Sequence, residues 1–216
     1  MKGKLKLSKT GFLLLITIVM FIIMYAIGMV VFFDKGFARP QMFLNLFISN
    51  AGLLVIACGL TIVMITGGID ISVGSVTALV CMCAADMMEN KGASAYQALF
   101  FSLFIGVLFG VVQGYLISYL RIQPFIITLA GLFFGRGMTA IVSTDMIAIK
   151  NETFLKWANA KIFLPFGYYN RHGVLVNAYI YPTVIIALIV ILVISIILRF
   201  TKFGRALYAI GGNEQS

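Results

Sequence analysis

Nearly uncharged apolar runs recur six times along the chain, separated by short polar breaks. They predict spans at 12–33, 46–66, 71–88, 97–120, 125–143 and 178–199. The runs are apolar all round rather than along one stripe, which marks helices surrounded by core or lipid. Runs of eighteen or more residues with almost no charge are read as crossings of a bilayer. Hydrocarbon offers no water to backbone N–H and C=O groups, so a crossing is a helix or part of a closed barrel. Barrel strands alternate apolar and polar residues over about ten positions. These runs do not alternate, and the prediction is an all-α polytopic transmembrane helical bundle of six spans.

The first span, at about 1.5 Å per residue, is about 33 Å long and crosses roughly 30 Å of hydrocarbon. The third is shorter, about 27 Å by the same rise. Only Gly67, Gly68, Ile69 and Asp70 separate the second span from the third, which predicts a broken hydrophobic hairpin. The four prolines fall outside span interiors: Pro40 and Pro165 in loops, Pro124 and Pro182 at helix starts, where a missing N–H costs nothing.

Composition supports this pattern. Of 216 residues, 62% are hydrophobic and 11% charged, against roughly 45–50% and about 25% in soluble domains. The net charge of +9 would suggest nucleic acid in a soluble chain. Here it reflects topology, because Lys and Arg gather at cytoplasmic ends. An even number of spans puts both termini on one side. With the N-terminus inside, Lys2, Lys4, Lys6, Lys9, Arg121, Arg199, Lys202 and Arg205 are cytoplasmic and in short segments, giving an N-in, C-in topology. The uncharged run 11–33 exceeds the 7–15 residues of a signal-peptide core, so it reads as an uncleaved first span. The stretch 144–177, with Trp157, Phe163, Phe166, Tyr168 and Tyr169, reads as an interfacial aromatic belt or as a docking surface for an extracytoplasmic partner. His172 lacks metal-ligand spacing and reads as solvated. Cys58, Cys81 and Cys83 lie in apolar runs and read as free thiols.

Catalytic patterns are missing from the sequence. There is no GxxxxGK[ST], GxSxG or HExxH. Gly106, Gly110 and Gly114 fall four apart in the fourth span, and Gly131 and Gly135 repeat the spacing in the fifth. Such faces let helix backbones approach closely in lipid. Asp70 follows the glycine break and reads as an N-cap of the third span. Arg136 lies within the fifth span, where a charge near the bilayer centre costs at least about 2.5–3.5 kcal/mol. A charge held at that cost faces a bundle interior or a water-filled cavity. Asp70 and the freed carbonyls of the break are its candidate partners. Broken helices at membrane depth mark substrate paths in transporters, so these features point to transport.

Three stretches carry a resemblance. Gly59 to Val76 (GLTIVMITGGIDISVGSV), Pro124 to Ser143 (PFIITLAGLFFGRGMTAIVS) and Thr201 to Ser216 (TKFGRALYAIGGNEQS) lie in order. Together they resemble the permease subunits of ribose-type (monosaccharide) ABC importers, and the wording of the second is similar to the galactofuranose branch. The resemblance implies a multi-pass subunit of a bacterial inner-membrane importer that works by alternating access. It implies two ABC ATPase subunits as partners, an extracytoplasmic sugar-binding protein, and a second permease copy or paralogue within the membrane lipid. ATP and Mg would sit on the partner ATPase, with no cofactor on this chain. It carries over Gly67, Gly68, Asp70, Ser72, Gly74, Pro124, Arg136 and Gly137 as pathway positions. It carries over Gly204, Arg205, Gly211, Gly212, Asn213 and Glu214 as ATPase-coupling positions, in a coupling segment that begins at about 200. Residues 1–216 are then the N-terminal part of a single permease domain, cut short, since family members continue into a further coupling helix and about four more spans. Two other readings stay open on the residues alone: an ion-coupled secondary transporter or channel, and a membrane scaffold without transport.

Overall fold

The computed structural model describes residues 9–169 and 174–212. Lys2, Lys4, Lys6, His172, Asn213 and Glu214 lie outside the described residues. The elements in chain order are α1 (Lys9–Val31), a 3-10 turn (Phe33–Lys35), α2 (Pro40–Ile65), α3 (Val73–Glu89), α4 (Ala95–Ser118) and α5 (Pro124–Val142). They are followed by α6 (Glu152–Ala158), β1 (Ile162–Tyr169), β2 (Leu175–Ile180), α7 (Pro182–Phe200) and α8 (Lys202–Gly212).

Five helices are long and apolar enough to cross a bilayer: α1, α2, α4, α5 and α7. The third predicted span becomes α3, with only 17 residues and about 26 Å of rise. It starts two residues later than predicted, after the glycine break, and runs through Asp86 to Glu89. Pro124 and Pro182 open α5 and α7 as their sequence positions predict. Pro40 corrects its loop assignment, because it opens α2.

The chain is mostly helical, and beside the helices β1 and β2 pair as a two-stranded sheet where the sequence predicts a loop running into the sixth span. Alternating Ile, Phe, Leu, Tyr and Val suit a half-exposed ribbon, and Pro165 is tolerated in β1 because only one of its edges is paired. At Gly167 the backbone of β2 comes so close that a side chain would meet the Val176 carbonyl.

The chain divides into two compact units. The first comprises residues 1–48 and 163–180. In it the Tyr25 ring packs against Phe37 and Phe43, at centroid distances of 5.4 and 5.7 Å. Gln41 binds β2 as a strand would. Its amide nitrogen donates to the Tyr179 carbonyl (3.1 Å), and its amide oxygen accepts from the Tyr179 N–H (2.8 Å). The Arg39 guanidinium stacks over Tyr168 at 4.3 Å, a cation–π contact.

The second unit comprises residues 49–162 and 181–216. Its centre is α3, packed against α4 and α5. Met88, Ala95 and Ala98 are buried where α3 turns into α4, with Ala84, Ile149 and Phe154 against them. That turn is built locally. Ser94 and Gln97 form a reciprocal capping box at the start of α4. The Glu89 carboxylate accepts the N–H groups of Lys150 (2.7 Å) and Asn151 (2.9 Å), which fixes the segment leading to α6. The Tyr96 and Trp157 rings meet edge to face at 4.7 Å. Lys91 pairs with Asp86 at 2.8 Å, and this bond holds the lysine above its ordinary range. Leu, Ile, Val and Phe side chains are exposed along all five long helices, as lipid-facing surfaces require.

Candidate functional site: the helix break between α2 and α3

The site is built around the end of α2. Gly67 adopts φ +79, a left-handed conformation that glycine takes without penalty. Its N–H bonds the Met64 carbonyl (3.0 Å), and the Gly68 N–H reaches back to Val63 (3.1 Å). This is the Schellman arrangement, and it explains why the paired glycines stop the helix. The Thr66 hydroxyl also donates to the Val63 carbonyl at 2.8 Å. Residues 68–72 then run without helix until α3 begins at Val73.

Asp70 holds the second half of the break. One carboxylate oxygen accepts both the Ser72 N–H (2.8 Å) and the Ser72 hydroxyl (2.7 Å). The N-cap position belongs to Ser72, whose side chain makes no capping bond. The expectation that Asp70 is the N-cap is therefore corrected: it acts from two residues earlier, by fixing the residue at the cap. Ser72 is 2% exposed and its hydroxyl also accepts from the Gln113 amide at 3.1 Å. Thr128 donates its hydroxyl to the Ile69 carbonyl at 3.2 Å, and Ser75 donates to the Ser72 carbonyl at 2.7 Å. Ser72, Ser75 and Thr128 are all buried, and no buried side-chain polar atom among the described residues lacks a partner. Buried polar groups in an apolar bundle persist only when satisfied in this way.

Gly131 and Gly135 make this convergence possible. A side chain at Gly131 would overlap the Gln113 amide, and one at Gly135 would lie 2.8 Å from the Ser75 hydroxyl. The predicted close-packing face of α5 is thus the face against α3. The matching expectation for α4 is corrected, because Gly106, Gly110 and Gly114 face open space among the described residues. The α4 residue that reaches the break is Gln113. Neither Gln113 nor Thr128 was singled out from the sequence. The available signal was an amide within the apolar body of α4, well past the capping Gln97, a residue type that bonds between helices in lipid.

The break sits near one end of the unit. Gln113 lies five residues before the end of α4 and Thr128 four residues after the start of α5, about 6–8 Å of helix from each terminus. Arg136 is eight residues beyond Thr128 on α5, about 12 Å further along the axis. It therefore does not reach Asp70 or the freed carbonyls, and its side chain is exposed. Gly137 beside it faces open space, as does Gly74. An apolar groove of about 400 Å³ between α4 and α5 runs past Gln113, lined by Phe109, Val112, Leu116, Ile127 and Phe134.

The tail returns to the break. Thr201 closes α7 by donating to the Ile197 carbonyl (2.6 Å) and accepts the Gly204 N–H (3.1 Å). Gly204 lies against the carbonyls of Ile197 and Leu198, and Gly211 lies against the carbonyl of Ile65. Gly204 and Leu207 are buried, while Arg205 and Tyr208 are exposed. Gly212 meets nothing. The groups gathered at the break are hydroxyls, amides and one carboxylate, and among the described residues no group of His, Cys, Asp and Glu could hold a metal. This chemistry suits a packed joint between helices.

Residues 42–216 match the family described as "Branched-chain amino acid transport system / permease component". The chain belongs to this permease family. The match covers α2 to the tail, including the break. The permease is 33% identical over 221 residues to the fructose import permease protein FruG of Bifidobacterium longum, covering 99% of this chain and 63% of that protein. It is 37% identical over 205 residues to the inner membrane ABC transporter permease protein YjfF of Escherichia coli, covering 94% and 58%. It is 32% identical over 165 residues to the galactofuranose transporter permease protein YtfT of Escherichia coli, covering 76% and 43%. The chain thus spans between about two fifths and two thirds of the length of these relatives. No solved structure matches it. Family and apolar helices together make it a multi-pass protein of the inner membrane, and permease components are not themselves enzymes.

Proposed function

We propose that the chain forms part of the membrane pathway of an ATP-driven sugar importer, with N-in, C-in topology, and that it works by alternating access. The carrying observation is the glycine-ended α2, whose break is bonded to α4 and α5 through Gln113 and Thr128. It lies within a region where relatives are named as fructose and galactofuranose permeases. In this reading Gly67, Gly68, Asp70, Ser72, Gly74 and Pro124 shape the gate end of the pathway. Arg136 and Gly137 present an exposed face higher on α5 to the pathway or to a second permease copy. Arg205 and the exposed side of α8 face an ABC ATPase, which holds ATP and Mg, and Gly212, Asn213 and Glu214 serve as further coupling positions. An extracytoplasmic binding protein delivers the sugar. Commitment of the Asp70 carboxylate to Ser72 argues against a freely loading acidic relay of the ion-coupled kind.

Co-purification tests this reading. The intact permease, extracted from membranes with its ATPase and binding protein, is expected to form one complex. Its ATP hydrolysis should rise several-fold with sugar-loaded binding protein. A permease that recruits no ATPase, or an ATPase indifferent to the loaded binding protein, contradicts the proposal.

A further inference from the structure

The close approach of Gly211 to the end of α2 has a physical cause. A Schellman ending satisfies the carbonyls three and two residues before the cap, here Val63 and Met64. It leaves the next carbonyl, that of Ile65, without an N–H partner among the described residues. The backbone of α8 lies over that carbonyl at Gly211, and a side chain there would also come within 3.6 Å of the Thr66 Cα. The next four residues are Thr66 and the break, Gly67 to Ile69.

The other end of α8 is equally tight. Gly204 lies against the last carbonyls of α7, and Thr201 bonds both sides of the corner. Gly204, Leu207 and Gly211 follow one another at helical spacing, three and four residues apart, so one face of α8 makes both contacts. Phe203, Tyr208 and Ile210, which flank that face, are exposed. A short helix clamped at α7 and resting on the break moves both when it moves.

We propose that Gly211 is a positioning residue that transmits displacement of α8 to the Gly67–Asp70 break. The inference rests on the reading of α8 as the ATPase-facing segment, but the contact itself does not. Coupling of this kind needs an element with two arrangements that both sites bias. The break is that element, because it is a non-helical stretch held by side-chain bonds from Asp70, Ser72, Ser75, Gln113 and Thr128 rather than by a continuous helix. Bulk at position 211 lifts α8 from Ile65 and disconnects the two.

Two measurements test it on the intact permease in its membrane. The first is geometric and independent of transport. With Cys58, Cys81 and Cys83 replaced by alanine, Thr66→Cys combined with Gly211→Cys is expected to form a disulfide under mild oxidation, since bridged Cα atoms lie within about 7 Å. Thr66→Cys combined with Gly212→Cys should bridge at least tenfold less. Equal or absent bridging at 211 overturns the contact. The second compares Gly211→Val with Gly110→Val in the complex with ATPase and binding protein. Gly211→Val should lower sugar transported per ATP hydrolysed by at least tenfold, with Gly211→Ala intermediate and ATPase recruitment retained. Gly110→Val, on α4 and facing open space, should change it less than twofold. Equal effects at 110 and 211, or loss of recruitment at 211 alone, overturn the transmission role. If no sugar is carried by the unaltered complex, the importer reading fails while the disulfide result still stands.

Discussion

The Ser72–Gln113 bond offers a quantitative test of how the break is held. Ser72→Ala removes one hydroxyl that donates to Asp70 at 2.7 Å and accepts from Gln113 at 3.1 Å. Side-chain bonds between membrane helices average about 0.6 kcal/mol and reach about 1.7. Two such bonds give about 1–2 kcal/mol, and stranding the Gln113 amide adds part of the 1–3 kcal/mol that an unsatisfied buried group costs. The single variant should lose about 2 kcal/mol, roughly a 30-fold change in the folded-to-unfolded ratio. Gln113→Leu costs less, about 1 kcal/mol, because Ser72 keeps its bond to Asp70 and leucine suits the apolar groove. In the double variant no amide is stranded. The total should therefore fall short of the sum by about 1 kcal/mol. Reversible denaturation of the purified intact permease in mixed micelles measures all four corners of this cycle. Additivity within about 0.5 kcal/mol would refute the claim that the two side chains act as one joint.

Other predictions follow from the same contacts. Gly135→Val places a methyl against Ser75, whose hydroxyl is 2.8 Å from the Cβ position, and should destabilise by about 1–3 kcal/mol as overpacking does; Gly137→Val, facing open space, should stay within about 0.5 kcal/mol in the same denaturation assay. Gln41→Ala removes both bonds to Tyr179 and should expose residues 162–180 to limited proteolysis at least several-fold faster, with the long helices uncut. Glu89→Ala frees the N–H groups of Lys150 and Asn151, and hydrogen exchange should accelerate at those two amides before any change at α4.

Much of the architecture was legible because apolar length is a strong signal. Spans one, two, four and five each fall within six residues of a helix terminus at both ends. The break was legible too, since Gly67-Gly68 supplies the left-handed residue a helix ending needs. The fold of the aromatic segment was not. Pro165 and Gly167 interrupt the strand pattern of β1, and the apolar end of β2 merges with α7, so residues 178–180 read as helix. Partners across the site were also hidden. Ser72 and Gln113 stand 41 residues apart, and periodicity says which residues share a face but not which helices meet. The same limit explains the two glycine stripes. Their spacing is alike, yet only Gly131 and Gly135 are turned toward α3. An arginine within an apolar run predicts a bundle-facing charge with Asp70 as a candidate partner, and the axial distance along α5 from Thr128 to Arg136 separates them.

The claim that ATP drives sugar through a pathway containing this chain is tested most directly by transport into proteoliposomes. Intact permease and ATPase are reconstituted together, with binding protein and radiolabelled monosaccharide on one side and ATP on the other. The account predicts accumulation that requires ATP hydrolysis and binding protein and is indifferent to proton or sodium gradients. Accumulation by the permease alone, driven by an ion gradient and unchanged when ATP is withheld, would contradict it.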